Sequence, residues 1–118
     1  MSNAPGRGNA SPSAIVSAVD TWLAENFREQ YDLVALSLHV EKERSYICHT
    51  YRRETGTTIS RKIRQLRVGE AARMLEEREC SVAESSKAVG YASVSHFTKA
   101  FHAEMGSRPS GWIRKRKN

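Results

Sequence analysis

Two segments of the sequence carry short polar or small side chains on a helix face that apolar residues leave free. The first set is Arg44, Ser45, Cys48 and His49, and the second is Val94, Ser95, Thr98 and Lys99. At helical spacing, each set lies away from the apolar residues of its own segment. Such groups suit hydrogen bonds and apolar contacts to the base edges exposed in the major groove of DNA. The alternative for each residue is an ordinary solvated helix surface.

Arginines near these segments predict contacts with phosphates. We expect Arg52, Arg53, Arg61 and Arg67 to bind them, which supplies affinity and register without reading sequence. The charge distribution agrees with a polyanionic partner, since the chain carries a formal charge of +6. Residues 1–41 hold two basic and five acidic side chains, net −3, whereas residues 42–118 hold seventeen and eight, net +9.

Other chemistries find little support in the residue pattern. Cys48 and Cys80 are too few for a disulfide framework and lack CxxC spacing, so we expect small buried or half-buried thiols. The four histidines show no zinc-binding spacing, and no carboxylate pair or Ser/His/Asp set stands in a catalytic context. We therefore expect no enzyme activity, metal or cofactor. No apolar run approaches about 20 residues and no secretory signal opens the chain, which favours a cytoplasmic protein.

The apolar periodicity predicts an all-α chain, because no stretch alternates at period two. Helices are expected over residues 13–30, 43–54, 58–78, 82–90 and 93–105, with a short helix after Asp32 and a final turn after Pro109. Asp32 and Ser93 are predicted N-caps, and Ser81 with Glu84 three residues later predicts a capping box. Residues 1–12 lack periodicity and predict a flexible tail.

A repeat relates the two halves of the chain. Ile47, Tyr51, Glu54 and Gly56 match Phe97, Phe101, Glu104 and Gly106 at an offset of 50, and Ser37 and Val40 match Ser86 and Val89 at 49. Ile47 and Tyr51 are expected to face inward, together with Tyr46. Each copy predicts a short helix, a tight turn and a longer helix, which is the helix-turn-helix layout.

The domain organisation follows from this repeat. We predict a first helix-turn-helix unit over residues 13–57, a linker helix over 58–78 and a second unit over 79–118 with a basic C-terminal tail. A linker of about 20 residues measures roughly 30 Å, close to the roughly 34 Å between successive major grooves on one side of DNA. The linker can therefore hold two reading helices one turn of DNA apart.

Several motifs are shared with a known family. They are Tyr51-Arg52-Arg53-Glu54-Thr55-Gly56, Leu66-Arg67-Val68 with Ala71 and Met74-Leu75, and Val89-Gly90-Tyr91 through Ser95-His96-Phe97, Phe101, Gly106 and Pro109. Over about residues 13–115 the chain resembles the DNA-binding domain of the AraC/XylS family of bacterial transcription regulators. The resemblance implies about seven helices in two helix-turn-helix units, bound to an asymmetric site in adjacent major grooves.

The resemblance also implies particular site residues and a further domain. The base-contacting positions of the family fall on Ser45, Cys48, His49, Val94, Ser95, Thr98 and Lys99. A separate sensing or dimerisation domain commonly precedes the family's DNA-binding domain. Ser2-Asn3-Ala4 agrees with that expectation, because it resembles the scar of an expression vector and indicates a fragment of a longer protein.

Some residues depart from the family pattern. Glu41 stands where the first turn usually has Gly, and a left-handed Glu costs on the order of 1 to 2 kcal/mol there. Lys42 occupies a normally apolar position, and Glu43 replaces a capping Ser or Thr. Ser85 replaces a usual Ile, so we expect a buried hydroxyl that bonds back to a helix carbonyl. Lys62 replaces a usual aromatic residue.

Sequence-specific binding of double-stranded DNA by a transcription regulator is the leading prediction, with one helix of each unit in adjacent major grooves. The alternative is a protein-docking module, for instance toward RNA polymerase, with weak or non-specific DNA binding. The acidic turn over residues 41–43 motivates that alternative, because acidic groups near phosphates weaken DNA binding.

Overall fold

The computed structural model describes residues 11–77 and 80–117, and this part of the chain forms seven α-helices and no strand. They are α1 (Pro12–Asn26), α2 (Leu33–Val40), α3 (Arg44–Thr55), α4 (Ile59–Glu76), α5 (Val82–Ala88), α6 (Val94–Met105) and α7 (Pro109–Lys117). The all-α prediction is confirmed. The Ser2-Asn3-Ala4 segment and most of the predicted tail lie outside the described residues, as does position 78, the expected end of the linker helix.

The predicted capping residues begin three of the helices. Asp32 Oδ1 accepts two backbone N–H groups from the first turn of α2, at 3.0 and 3.3 Å. Ser93 Oγ accepts one N–H of α6 at 3.0 Å. Ser81 and Glu84 form a capping box, each side chain accepting the other's backbone N–H at 3.1 and 2.8 Å. These bonds satisfy donors that a helix leaves unpaired at its N-terminus.

The first helix ends earlier than its apolar pattern predicts. We expected a helix to residue 30, but α1 ends at Asn26, whose Nδ2 donates to the Trp22 carbonyl at 2.8 Å. Arg67 then donates from Nε to the Phe27 carbonyl and from Nη2 to the Glu29 carbonyl, each at 2.7 Å. The segment that follows α1 is therefore bound through its carbonyls by a guanidinium from α4.

The described chain divides into two compact units. The first combines residues 11–26 with 31–62, and the second combines residues 27–30 with 63–77 and 80–117. The first unit therefore holds α1, α2, α3 and the beginning of α4. The second unit holds the rest of α4 together with α5, α6 and α7.

The core of the first unit forms where α1 packs against α2 and α3. Its buried apolar residues include Ile15, Val19, Leu23, Leu36, Ile47 and Tyr51. The Tyr51 hydroxyl donates to Asp20 Oδ1 at 2.6 Å, which joins α3 to α1. Burial, followed by this hydrogen bond to a carboxylate, raises the pKa of Tyr51 above its ordinary value. Tyr51 therefore contributes both apolar area and a polar contact to the core.

Two expectations about buried residues are wrong in this unit. Tyr46 was expected to face inward but is 42% exposed, while Ile47 and Tyr51 are buried. Successive residues of an α-helix point about 100° apart, so Tyr46 lies at the edge of the face that carries Ile47. Cys48 is exposed rather than buried, whereas Cys80 is half-buried as expected.

The second unit has a core rich in aromatic residues. Val68, Ala71, Leu75, Val89, Phe97 and Phe101 are buried in it. The rings of Tyr91, Phe97, Phe101 and Trp112 contact one another in series, with centroids 5.6, 5.7 and 6.0 Å apart. Ser85 is fully buried and its Oγ donates to the Val82 carbonyl at 2.9 Å, as the sequence predicts. The second unit therefore accommodates a hydroxyl at this usually apolar position.

The repeat is also visible in the backbone. Gly56 and Gly106 end the reading helix of their unit at φ values of 80° and 79°, and each N–H donates to the carbonyl four residues earlier. In the turn before each of these helices, Glu41 adopts φ 64° and ψ 39°, and Gly90 adopts φ 103°. Glu41 is the only residue other than glycine with positive φ in residues 11–77 and 80–117. Glu41 thus adopts the left-handed conformation in which a residue other than glycine costs on the order of 1 to 2 kcal/mol, so its strain destabilises the first turn.

Across the described ranges, no helix combines the length and apolar character needed to cross a membrane. The same ranges contain no group of three or more His, Cys, Asp or Glu side chains placed to hold a metal ion.

Candidate nucleic-acid interface

The predicted reading residues of the first unit lie on the exposed side of α3. Arg44, Ser45, Cys48 and His49 are all exposed. Ile47, on the other side of the helix, is fully buried and anchors α3 in the core of its unit. Ser45, Cys48 and His49 line one surface depression, which Arg44 does not line. The structure thus brings three of the four residues together on a solvent-facing surface.

Two predicted phosphate ligands belong to the same depression. Arg52 and Arg53 line it with Ser45, Cys48 and His49. Arg53 Nε lies 3.2 Å from Glu54 Oε2, and both side chains are substantially exposed. An exposed ion pair contributes about 0–1 kcal/mol, so this one holds Arg53 only weakly. Both guanidinium groups are therefore accessible to an anion beside the reading face.

Tyr31 borders the first depression, although the sequence did not single it out. Burial, followed by the nearby Cys48 and Asp32, which disfavour a second negative charge, raises the pKa of Tyr31 to about 12. The phenol is consequently neutral near pH 7 and can donate a hydrogen bond. Because Tyr31 lies close to Cys48, its hydroxyl adds a hydrogen-bond donor at the edge of the predicted reading face.

The predicted reading residues of the second unit occupy the corresponding side of α6. Val94 is 42% exposed, and Ser95 and Lys99 are also exposed, while Thr98 is half-buried. Phe97 and Phe101, which lie one turn apart, are fully buried and anchor the helix. Ser95, Thr98 and Lys99 line one depression together with His102 and Arg108, whereas Val94 lies outside it.

The two depressions are equivalent in the repeat. Adding 50 to Ser45, Cys48, His49, Arg52 and Thr58 gives Ser95, Thr98, Lys99, His102 and Arg108, and both sets line their own unit's depression. Equivalent backbone positions therefore line the depression in each unit, while most of the side chains at these positions differ. Equivalent surfaces with different side chains can present two different reading faces.

The two reading helices begin differently. The N-cap of α3 is Glu43, whose side chain makes no capping hydrogen bond, whereas Ser93 caps α6. An acidic residue at a helix N-terminus interacts favourably with the helix dipole. The same carboxylate repels phosphates that approach the beginning of α3. The N-cap of α3 therefore carries a negative charge that the N-cap of α6 lacks.

The remaining two predicted phosphate ligands lie on α4. Arg61 is exposed, whereas Arg67 is half-buried. Arg67 donates to the carbonyls of Phe27 and Glu29, and its guanidinium carbon lies 5.4 Å from the centroid of the Tyr91 ring. At least two of the donors of Arg67 are therefore engaged within the second unit, while Arg61 is positioned toward solvent.

The structure adds residues that the sequence reasoning missed. Tyr31, Ser60, His102 and Arg108 line the two depressions but were not predicted as site residues. The repeat contained a signal for one of them, because the offset of 50 places His102 on Arg52. Arg108 coincides with Thr58 at the same offset, which gives no hint of a cation. No pattern in the sequence indicates Tyr31 as a site residue.

Comparison with known proteins identifies the same kind of domain. A family model described as "Helix-turn-helix domain" matches residues 36–115. The chain is 34% identical over 112 residues to an uncharacterized HTH-type transcriptional regulator, YdiP of Escherichia coli (strain K12), and the match covers 95% of this chain. It covers 37% of YdiP, so the chain spans about a third of the length of this relative.

Solved structures are similar over most of the chain. One is the DNA-binding domain of the global transcriptional factor AdpA in complex with a target DNA, with a TM-score of 0.79 and 25% identity over 86% of this chain and 92% of that one. Another is a probable AraC family transcriptional regulator from Rhodopseudomonas palustris CGA009, with a TM-score of 0.80. It shares 16% identity over 86% of this chain and 96% of that one, which is a likeness of fold alone.

Proposed function

The chain belongs to the AraC-type helix-turn-helix family of DNA-binding transcription regulators, and on that premise we propose that it recognises specific sequences of double-stranded DNA with α3 and α6. The observation that carries the proposal is the pair of equivalent depressions. Each combines short polar groups on an anchored helix with at least one cationic side chain. Polar groups of that kind suit base edges, and the cations suit the backbone.

The two faces are expected to read different sequences. His49 in the first unit corresponds to Lys99 in the second, and Cys48 corresponds to Thr98. These side chains differ in donors, acceptors and charge, so they favour different base pairs. A chain with two such faces therefore suits an asymmetric site, without the palindrome that a symmetric dimer requires.

The linker helix supports binding in adjacent major grooves. The 18 residues of α4 correspond to about 27 Å at 1.5 Å per residue. Successive major grooves on one side of DNA are about 34 Å apart, which a helix of this length and its flanking turns can bridge. We therefore propose that one chain occupies two consecutive grooves.

Selection from random duplex DNA tests the proposal. We expect an enriched, non-palindromic motif of about 20 base pairs whose two halves lie roughly one helical turn apart. Affinity for that motif should fall steeply as the salt concentration rises. Recovery of no enriched sequence would show that specific readout is wrong.

Substitutions in the two depressions separate reading from positioning. Replacing His49 or Lys99 by Ala should change preference at particular base pairs by about 1–3 kcal/mol. Arg53→Ala should instead weaken binding to all sequences alike. Arg73→Ala is the matched control, because Arg73 lies on α4 and pairs with Glu70 and Glu77. Equal, sequence-blind losses from both classes would contradict the assignment of the reading residues.

One observation favours protein docking as a second function. On α2, Leu38 is 73% exposed and Val34, one turn earlier, is 48% exposed. The acidic Glu41 and Glu43 follow this helix, so the apolar pair lies near negative charge. Such a surface suits a protein partner with a basic, apolar contact face, for which a subunit of RNA polymerase is our candidate.

A variant of α2 distinguishes docking from DNA binding. Leu38→Ala should weaken binding to purified RNA polymerase while the affinity for the selected duplex stays unchanged. The Arg52→Ala, Arg53→Ala double variant should have the opposite effect. Undiminished polymerase binding by Leu38→Ala would exclude this face as the docking surface.

A further inference from the structure

We propose that Arg108, together with His102, forms a binding site for one backbone phosphate of double-stranded DNA in the second unit. The inference rests on the proposed DNA binding and adds a ligand site outside the predicted phosphate ligands. Those ligands, Arg52, Arg53, Arg61 and Arg67, belong to α3 and α4. Arg108 instead lies in the turn between α6 and α7.

The geometry gathers cationic and hydroxyl groups from two elements into one depression. Four of the lining residues lie on α6 at helical spacing, namely Ser95, Thr98, Lys99 and His102. The fifth, Arg108, directly precedes α7. Lys99, His102 and Arg108 are all exposed, so their polar ends are accessible. None of these five lining residues is acidic. A concave surface that offers several donors and no carboxylate suits an anion with several acceptor oxygens.

The nearest acidic residue on α6 is already neutralised. The side chain of Glu104 is 9% exposed, and its carboxylate binds Arg64 Nε in an ion pair. Its charge is therefore directed into the second unit and compensated there. The depression consequently retains the positive charge of Lys99 and Arg108, and the His102 ring adds an N–H donor.

The repeat indicates how the second unit keeps a guanidinium in this place. In the first unit, Arg52 on α3 lines the depression and Thr58 occupies the turn before α4. In the second unit, His102 replaces Arg52 and Arg108 replaces Thr58. Each depression therefore has at least one guanidinium near the end of its predicted reading helix, from Arg52 and Arg53 on α3 in the first unit and from Arg108 in the turn before α7 in the second.

The position along α6 favours a phosphate over a base. His102 is seven residues beyond Ser95, which corresponds to about 10 Å along the helix. The major groove is about 12 Å wide, so when the N-terminal half of a helix reads bases, its far end and the following turn approach the backbone. Arg108 therefore lies where a phosphate is expected.

Salt-dependent affinity of Arg108→Ala tests the site. Binding is measured by fluorescence anisotropy on the selected duplex and on an unrelated duplex of equal length. We expect Arg108→Ala to weaken binding to both duplexes by a similar factor, about three- to tenfold at low salt, and to reduce the slope of log K against log salt by about 1. Arg73→Ala removes the same formal charge from the second unit and should change neither quantity, because Arg73 is paired with Glu70 and Glu77.

A modified duplex makes the same test at atomic resolution. Replacing single phosphates of the selected duplex by neutral methylphosphonates should reveal one position that weakens the wild-type protein but not Arg108→Ala. Circular dichroism and thermal unfolding confirm that the variant is folded, which is expected because Arg108 is exposed.

Three results would overturn the inference. Equal behaviour of Arg108→Ala and Arg73→Ala would show that no phosphate site exists at Arg108. A loss confined to the selected duplex would assign Arg108 to a base. If the wild-type protein bound neither duplex, the proposed function itself would fail, and the phosphate site with it.

Discussion

Replacing Gly90 by Ala is expected to disrupt the turn that precedes the second reading helix. Gly90 adopts φ 103°, a conformation that L side chains rarely adopt. A Cβ at this position would lie 2.7 Å from the Arg28 carbonyl oxygen and 3.2 Å from Arg67 Cζ. The oxygen belongs to the backbone between Phe27 and Glu29, whose carbonyls both accept hydrogen bonds from Arg67. The neighbouring atoms therefore have little freedom to move away.

Gly106→Ala supplies the matched control for the magnitude. Gly106 also has positive φ, at 79°, but a Cβ there would meet no atom within 4 Å. Gly106→Ala should therefore cost only the left-handed strain, about 1–2 kcal/mol. Gly90→Ala adds overlap with packed atoms, which costs about a further 1–3 kcal/mol. We expect Gly90→Ala to cost about 2–5 kcal/mol in all, a large part of the roughly 5–15 kcal/mol that stabilises a domain.

Urea unfolding monitored by tryptophan fluorescence measures this difference. Trp112 packs against Phe101 in the second unit, and Trp22 lies on α1 in the first. In a Trp22→Phe background, Trp112 alone reports on the second unit. Gly90→Ala should lower the unfolding midpoint well below that of Gly106→Ala. Equal losses of stability in the two variants would refute the steric argument.

Four further predictions concern stability. Glu41→Gly should stabilise the first unit by about 0.5–1 kcal/mol in urea unfolding, because relief of left-handed strain exceeds the entropy cost of glycine, whereas Glu41→Ala should give no gain. Tyr51→Phe should cost about 1–2 kcal/mol through the lost hydrogen bond to Asp20, read from the same unfolding curves. In the folded state the pKa of Tyr31 is raised to about 12 and that of Tyr51 is also raised. The two tyrosines therefore contribute to the free energy of unfolding fully below the ordinary pKa of about 10, and this contribution is lost as the pH rises above it. Unfolding midpoints that stay constant from pH 8 to 11 would contradict this prediction. Arg67→Ala should destabilise the second unit by about 1–3 kcal/mol, and Arg67→Lys should not restore the stability. A loss of DNA affinity at unchanged stability would contradict this structural role and support Arg67 as a phosphate ligand.

Local interactions explain why much of the fold could be predicted. The caps at Asp32, Ser81 and Ser93 bind backbone groups within three residues, so their chemistry is contained in short stretches of sequence. The apolar period of each helix is equally local. The repeat then indicated two helix-turn-helix units, because Gly56 and Gly106 recur at the same place after each reading helix.

Contacts between distant residues explain what the sequence could not predict. The partners of Arg67 lie 38 and 40 residues away, and these distant contacts engage its guanidinium within the second unit. The exposure of Tyr46 depends on which side of α3 the other helices cover. Likewise, only the folded second unit brings Arg108 beside His102, since the turn between α6 and α7 returns toward the reading helix. Helix type and capping are short-range properties of the chain, whereas the composition of a surface depends on packing that brings separated segments together.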